Sequence, residues 1–155
     1  MRKRLINQNP QGASPAGPEW LDLEQLARVE VTSEDAGRPI ESALVEGQGW
    51  RAADPGEQTI RLLFDQPLSL RRISLLYRED EQERSQEFVL RWSPDGGRTF
   101  REILRQQYHF SPPGTVAENE DYRVDLDGVT VLELSIVPSV SGGSARASLM
   151  RLRLA

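Results

Sequence analysis

A chain of 155 residues, 37% of them hydrophobic and 28% charged, is long enough for one domain with a real core, and no apolar run in it is long enough to span a bilayer. Its net charge of −5 disfavours non-specific binding to a nucleic-acid backbone, which needs a basic field. It has no cysteine and a single histidine, which removes disulfides, thiolate zinc sites and a cysteine nucleophile.

Met1 to Pro18 is polar, with Pro10, Gly12, Pro15, Gly17 and Pro18, and reads as a surface arm ahead of one domain over residues 19–155. Its basic start lacks the apolar stretch of a signal peptide, so a cytoplasmic location is expected. Glu19 to Leu26 predicts one or two helical turns that carry Trp20, Leu23 and Leu26 inward. Ala27 to Thr32 alternates as a first strand, and Ser33 to Pro39 is a polar loop. Ile40 to Val45 fits a short strand or a turn, and Gly47 to Gly56 reads as a loop with Trp50 tucked beneath it.

Thr59 to Phe64 predicts a strand with Ile60, Leu62 and Phe64 on one face, Asp65-Gln66-Pro67 a turn, and Leu70 to Tyr77 the return. Arg78 to Ser85 is a charged, solvated loop. The centre of the pattern is Gln86 to Ile103. Phe88, Leu90 and Trp92 alternate with Glu87, Val89 and Arg91, and then Ser93-Pro94-Asp95-Gly96-Gly97 reverses the chain. Gln106 to Glu120 is a longer loop, Tyr122 to Leu126 a strand, and Asp127-Gly128 a hairpin signal. Val129 to Val137 buries Leu132, Leu134 and Ile136. Pro138 to Ser144 is a Gly/Ser loop, and Ala145 to Leu154 is a last strand with Met150, Leu152 and Leu154 inward. About eight short antiparallel strands with almost no helix predict an all-β sandwich or jelly roll.

The ordered series Gly49-Trp50, Gln58 to Asp65, Leu70 to Ile73, Phe88 to Phe100 and Ala147 to Leu152 resembles the discoidin domain, the C-type domain of coagulation factors, in the galactose-binding-domain-like superfamily. The strand followed by Ser93, Asp95-Gly96 and the aromatic Phe100 is the most specific piece, and the resemblance runs from about Ala27 to Ala155. It implies an eight-stranded jelly-roll sandwich and a non-catalytic module for sugars, lipid head groups, collagen or other proteins. Membrane-binding members present apolar spikes, whereas the loops here are charged, so no membrane partner is expected. Sugar-binding members often hold a structural calcium. Glu34, Asp35, Glu41 and Glu46 are the candidate oxygens, although their spacing matches no dedicated calcium loop, and no cofactor is assigned.

Loop lengths locate a ligand independently. Successive connections in an antiparallel sandwich fall at alternate ends. The short turns at Asp65–Pro67, Pro94–Gly97 and Asp127–Gly128 mark one end. The longer connections Ser33–Pro39, Arg78–Ser85, Gln106–Glu120 and Pro138–Ser144 mark the other, where binding residues are expected. Candidate ligand contacts there are Glu34, Asp35, Arg38, Arg84, Tyr108, His109 and Arg146. A planar Tyr108 or His109 would lie under a sugar ring and Arg84 or Arg146 at its edge, while Phe110, and Tyr108 with it, also fits a core plug. No G-x-S-x-G, P-loop or dinucleotide glycine motif is present, so no catalysis is expected. Two functions stay open: a carbohydrate-binding module, and a cytoplasmic protein-interaction or scaffold domain. Nucleic acid is disfavoured as a partner by the charge.

Overall fold

The computed structural model describes residues 19–155, and the expected arm, Met1 to Pro18, lies outside them. Eight strands carry the fold: β1 Ala27–Val31, β2 Trp50–Pro55, β3 Gln58–Arg78, β4 Arg84–Ser93, β5 Arg101–Phe110, β6 Ala117–Val137, β7 Arg146–Leu149 and β8 Arg151–Leu154. All their pairings are antiparallel. Two single helical turns, α1 Leu23–Leu26 and α2 Glu41–Leu44, complete it. None of the described helices is long and apolar enough to cross a membrane.

The strand order β1-β3-β6-β4-β5 forms one layer. The second layer uses the far halves of the same two long strands. Leu70 to Arg78 of β3 pairs with Ala117 to Leu126 of β6 on one side and with β8 on the other. The expected turns at Asp65–Pro67 and Asp127–Gly128 are therefore not hairpins. They face each other as bends in two continuous 21-residue strands. The cause is a paired bulge. Between Leu68↔Val129 and Leu70↔Leu126, two residues of β3 span three of β6. Gly128, at φ +69°, takes up the extra residue, and Pro67, which has no N–H to donate, sits where the ladder is interrupted. Ser69 and Arg71 donate to Asp127 Oδ1 at 2.8 and 2.9 Å and close the corner.

Three further expectations change. Trp50–Pro55 is a strand, not a loop, and pairs with β7 through Trp50↔Leu149 and Pro55↔Arg146. The ambiguous Ile40–Val45 holds α2, Glu41–Leu44, closed by Val45 N–H to Glu41 O at 2.9 Å. The last strand is broken at Met150, whose N–H reaches Leu76 O at 2.8 Å. The break shifts the alternation by one residue. Ala147 and Leu149 are buried before it and Leu152 and Leu154 after it, so Met150 is half-buried rather than inward. Near the chain's described start, Leu23 enters the core as expected. Trp20 and Leu26 stay half-buried, and Trp20 lies beneath the guanidinium groups of Arg72 and Arg153.

The expected core is buried between the layers: Phe64, Phe88, Leu90, Trp92, Leu132, Leu134 and Ile136. The central reversal also has the expected chemistry. Ser93 Oγ accepts from the N–H groups of Asp95 and Gly97, and the Asp95 carboxylate accepts from Arg98 N–H, Thr99 N–H and the Thr99 hydroxyl. The Ser93 and Thr99 hydroxyls, helped by the two N–H groups, hold the Asp95 carboxyl well below its usual range. Gly96 and Gly97 sit at φ +77° and +95°. A Cβ on Gly97 would meet the Phe100 ring only at 3.8 Å, an ordinary contact. Gly97→Val should therefore lose stability through backbone strain alone, on the order of 1–2 kcal/mol. A denaturation midpoint equal to the parent's would refute the left-handed assignment.

Candidate functional site

The four longer connections do gather at one end. Glu79 N–H donates to Val116 O at 2.8 Å, Val140 N–H to Ser85 O at 2.9 Å, and Arg146 Nη1 stands 3.9 Å from Asp35 Oδ2. The Ser93–Phe100 reversal is tied to the β3/β6 corner at the opposite end by Gly96 N–H to Thr130 Oγ1 at 2.8 Å. The long loops share one end although two of the expected turns are bends, for a geometric reason. A strand that bends over the corner enters the opposite layer just as a strand following a turn would.

At the long-loop end a cleft of about 400 Å³ opens between the Gly47-Gln48 bend, Arg78 and Met150. It continues into a smaller recess of about 130 Å³ beside Arg51 and Arg146. Arg38, Arg78, Asp80 and Ser148 line both. The floor is the outer face of the β2–β7 pair. Trp50, Ala52, Ala147 and Leu149 turn toward the core. The pairing Arg51↔Ser148 then leaves Arg51, Ser148 and Arg146 outward. The Ser33–Pro39 loop is laid on β2 by Asp35 N–H to Arg51 O at 2.8 Å and Arg51 N–H to Arg38 O at 3.2 Å. Gly49, at φ +91°, lets the Gly47-Gln48 bend press against the β7–β8 junction. A Cβ there would stand 2.8 Å from Leu149 O.

Of the residues expected to contact ligand, Arg38 and Arg146 line this cleft. Asp35 lies at its edge, with Oδ1 accepting Gly37 N–H at 2.9 Å. The other four do not line it. Arg84 is buried, its side chain only 2% exposed. Its Nε donates to Glu79 Oε1 at 2.7 Å and its Nη1 to Gln86 Oε1 at 2.5 Å and Pro138 O at 2.6 Å, so it ties two loops together from beneath. Tyr108 packs its ring against Tyr77, Phe88 and Phe110 and accepts from Gln86 Nε2 at 2.6 Å, and burial pushes its hydroxyl pKa up. Phe110 is a core plug, fully buried. His109 is exposed on the other face of β5, bound to Ser85 Oγ and Glu83 Oε2, both at 2.8 Å. Glu34 accepts Ile40 N–H at 3.0 Å and borders an apolar groove with Ile40 and Leu44. No aromatic face is open to the cleft, since Trp50, the one aromatic that lines it, is fully buried and donates Nε1–H to Ser33 O at 3.0 Å. The four candidate calcium ligands do not converge. Among the described residues, no three acidic or histidine side chains are placed to share a metal ion.

Among the cleft residues missed from sequence are Arg51, Arg78, Asp80, Gln48, Ser148 and Met150. The signal for two of them was present. Trp50 and Ala52 alternate with Arg51, and Ala147 and Leu149 alternate with Ser148, as in any strand with one buried face.

No family model and no curated protein matches this chain. Solved structures do. One is CBM32-3 of a family 31 glycoside hydrolase from Clostridium perfringens, at TM-score 0.64 and 19% identity, covering 87% of this chain and 93% of that one. Another is the family 32 carbohydrate-binding module of Clostridium perfringens NanJ in complex with galactose, at TM-score 0.63 and 13% identity, covering 87% and 96%. A third is the CBM32 of AlyQ in complex with 4,5-unsaturated mannuronic acid, at TM-score 0.65 and 12% identity, covering 89% and 98%. The likeness shows that the chain has the antiparallel β-sandwich fold of these modules.

Proposed function

We propose that this chain is a non-catalytic carbohydrate-binding module whose ligand seats in the cleft between Arg38, Gln48, Arg78 and Ser148. The observation that carries the reading is the cleft itself. Two long connections of the sandwich, Ser33–Pro39 and Arg78–Ser85, border a concavity of about 400 Å³ together with the Gly47-Gln48 bend, with guanidinium, amide and hydroxyl groups on its walls. The fold is shared along nearly the whole length of modules solved with galactose and with a mannuronic acid derivative. The discoidin-type assignment belongs to the same proposal and rests on the Ser93–Phe100 reversal. The open cleft leaves much of a ligand wet, which points to weak binding of single sugars and stronger binding of oligosaccharides.

The test is a glycan array followed by amide shift mapping of the binding sugars. Shifts at Gln48, Arg51 and Ser148, abolished by Arg38→Ala without loss of the folded spectrum, are the expected result. Shifts confined to Ser85–His109 or to the Ile40–Leu44 groove would place the site elsewhere. A blank array would instead favour a protein-interaction or scaffold domain.

A further inference from the structure

We infer that the cleft selects anionic sugars, those bearing a carboxylate or a sulfate, over neutral ones. The inference rests on the carbohydrate-binding reading and names the ligand class of that same site.

Four arginines meet in the cleft, in a chain whose net charge is −5. Arg78 is committed, its Nε donating to Asp80 Oδ1 at 3.1 Å. Arg146 is only loosely engaged, 3.9 Å from Asp35 with its side chain 42% exposed. Arg38 donates to a neutral acceptor, Gln48 O, at 3.3 Å and makes no ion pair with the described residues. Arg51 likewise makes none with them. On the acidic side, Asp80 is taken by Arg78. Glu79 is taken by Arg84 and by the N–H groups of Glu81 and Gln82. Glu81 alone is uncommitted among the acids lining the recess. An incoming oxyanion thus finds three guanidinium groups with free donors, set on two adjoining strands and the loop laid across them.

The cleft also lacks an aromatic floor. A neutral pyranose needs an apolar plane beneath its C–H face, and Tyr108, Phe110 and Trp50 are all turned into the core. Affinity must then come from charge-assisted hydrogen bonds. A guanidinium fork makes these to a planar carboxylate or a sulfate far better than to a hydroxyl.

The probes are trigalacturonate, its fully methyl-esterified form, galactose 6-sulfate and galactose, titrated by amide shift mapping against the full chain. Trigalacturonate or the sulfate should bind at Gln48, Arg51 and Ser148, at least tenfold more tightly than its neutral counterpart. Which of the two binds identifies the anion. Affinity should fall several-fold between low salt and about 0.5 M salt, where the screening length shrinks to a few ångströms. Arg38→Lys and Arg51→Lys keep the charge but lose the fork and should each weaken binding. Arg98→Gln, at the opposite end, should not. Equal, salt-independent binding of the neutral probes in the cleft would overturn the anion preference and leave the module reading standing. An anion response weakened as much by Arg98→Gln, without cleft shifts, would overturn it as non-specific charge. No response to any sugar would overturn both.

Discussion

Phe88→Ala should destabilise the fold by about 3–5 kcal/mol, close to the whole stability of many small domains. Phe88 is fully buried on the interior strand β4, paired with Ile136 on one side and Gln106 on the other. Its ring lies 5.3 Å from that of Tyr77, which comes from the second layer. Phe88 therefore joins the two layers, and a cavity there would remove contacts from both. The neighbours are strand residues whose backbones are fixed by ladders on each side, so the site has little room to collapse. Chemical denaturation of the variant should show a greatly reduced midpoint, or an unfolded protein at 25 °C. A loss under about 1 kcal/mol would mean that the layers are joined elsewhere.

The second large effect is expected beneath the long-loop end. Glu79→Ala should cost about 3–5 kcal/mol, because it leaves the buried Arg84 guanidinium without its anion. Much of that cost is the stranded charge rather than the strength of the pair. The double variant Glu79→Ala/Arg84→Met should consequently be more stable than Glu79→Ala alone. Simple additivity of the two single losses would refute this account. The pair also predicts a pH dependence. Burial alone would raise the Glu79 carboxyl, but Glu81 N–H, Arg84 and Gln82 N–H outweigh it and hold the pKa below its ordinary 4.5. The unfolded chain then takes up the proton first as pH falls. The contribution is full above about pH 4.5 and is lost as pH drops through the lower folded value. Glu79→Ala should lack that component of acid destabilisation.

These two expectations separate residues whose roles looked alike in the sequence. Arg84 and Arg146 were equally plausible as arginines at a ligand's edge, since both lie in polar stretches near long loops. The structure divides them by burial. Arg84 starts β4, facing Phe110 at 5.3 Å, and Arg146 starts β7, facing solvent. Tyr108 and His109 are similar. In an alternating strand, adjacent residues face opposite sides, so at most one of them could have faced a ligand. The prediction of a loop from Gln106 onward hid that alternation, because β5 runs on to Phe110.

What the sequence determined alone was everything set by local physics. The period-two alternation of Phe88, Leu90 and Trp92 fixed which face is buried. The Ser93–Thr99 side chains and two glycines shaped most of the reversal from within a few residues, and only the Thr130 hydroxyl, bonded to Gly96 N–H and Ser93 O, reaches it from far along the chain. An antiparallel all-β sandwich with its long loops clustered followed from such units, although the eight strands are a different set: β3 and β6 each merge two of the expected ones, β2 is added and Met150 splits the last. Whether Asp65–Pro67 and Asp127–Gly128 were turns or bends could not follow from them, because the same residues permit either. The choice belongs to the partner strand: each bulge is tolerated because it meets the other across the β3–β6 pair. The cleft was decided at the same level. Arg38, Arg51, Arg78 and Arg146 are scattered over more than a hundred residues of the chain, and only the packing of β2 against β7 and the loops above them brings their charges together.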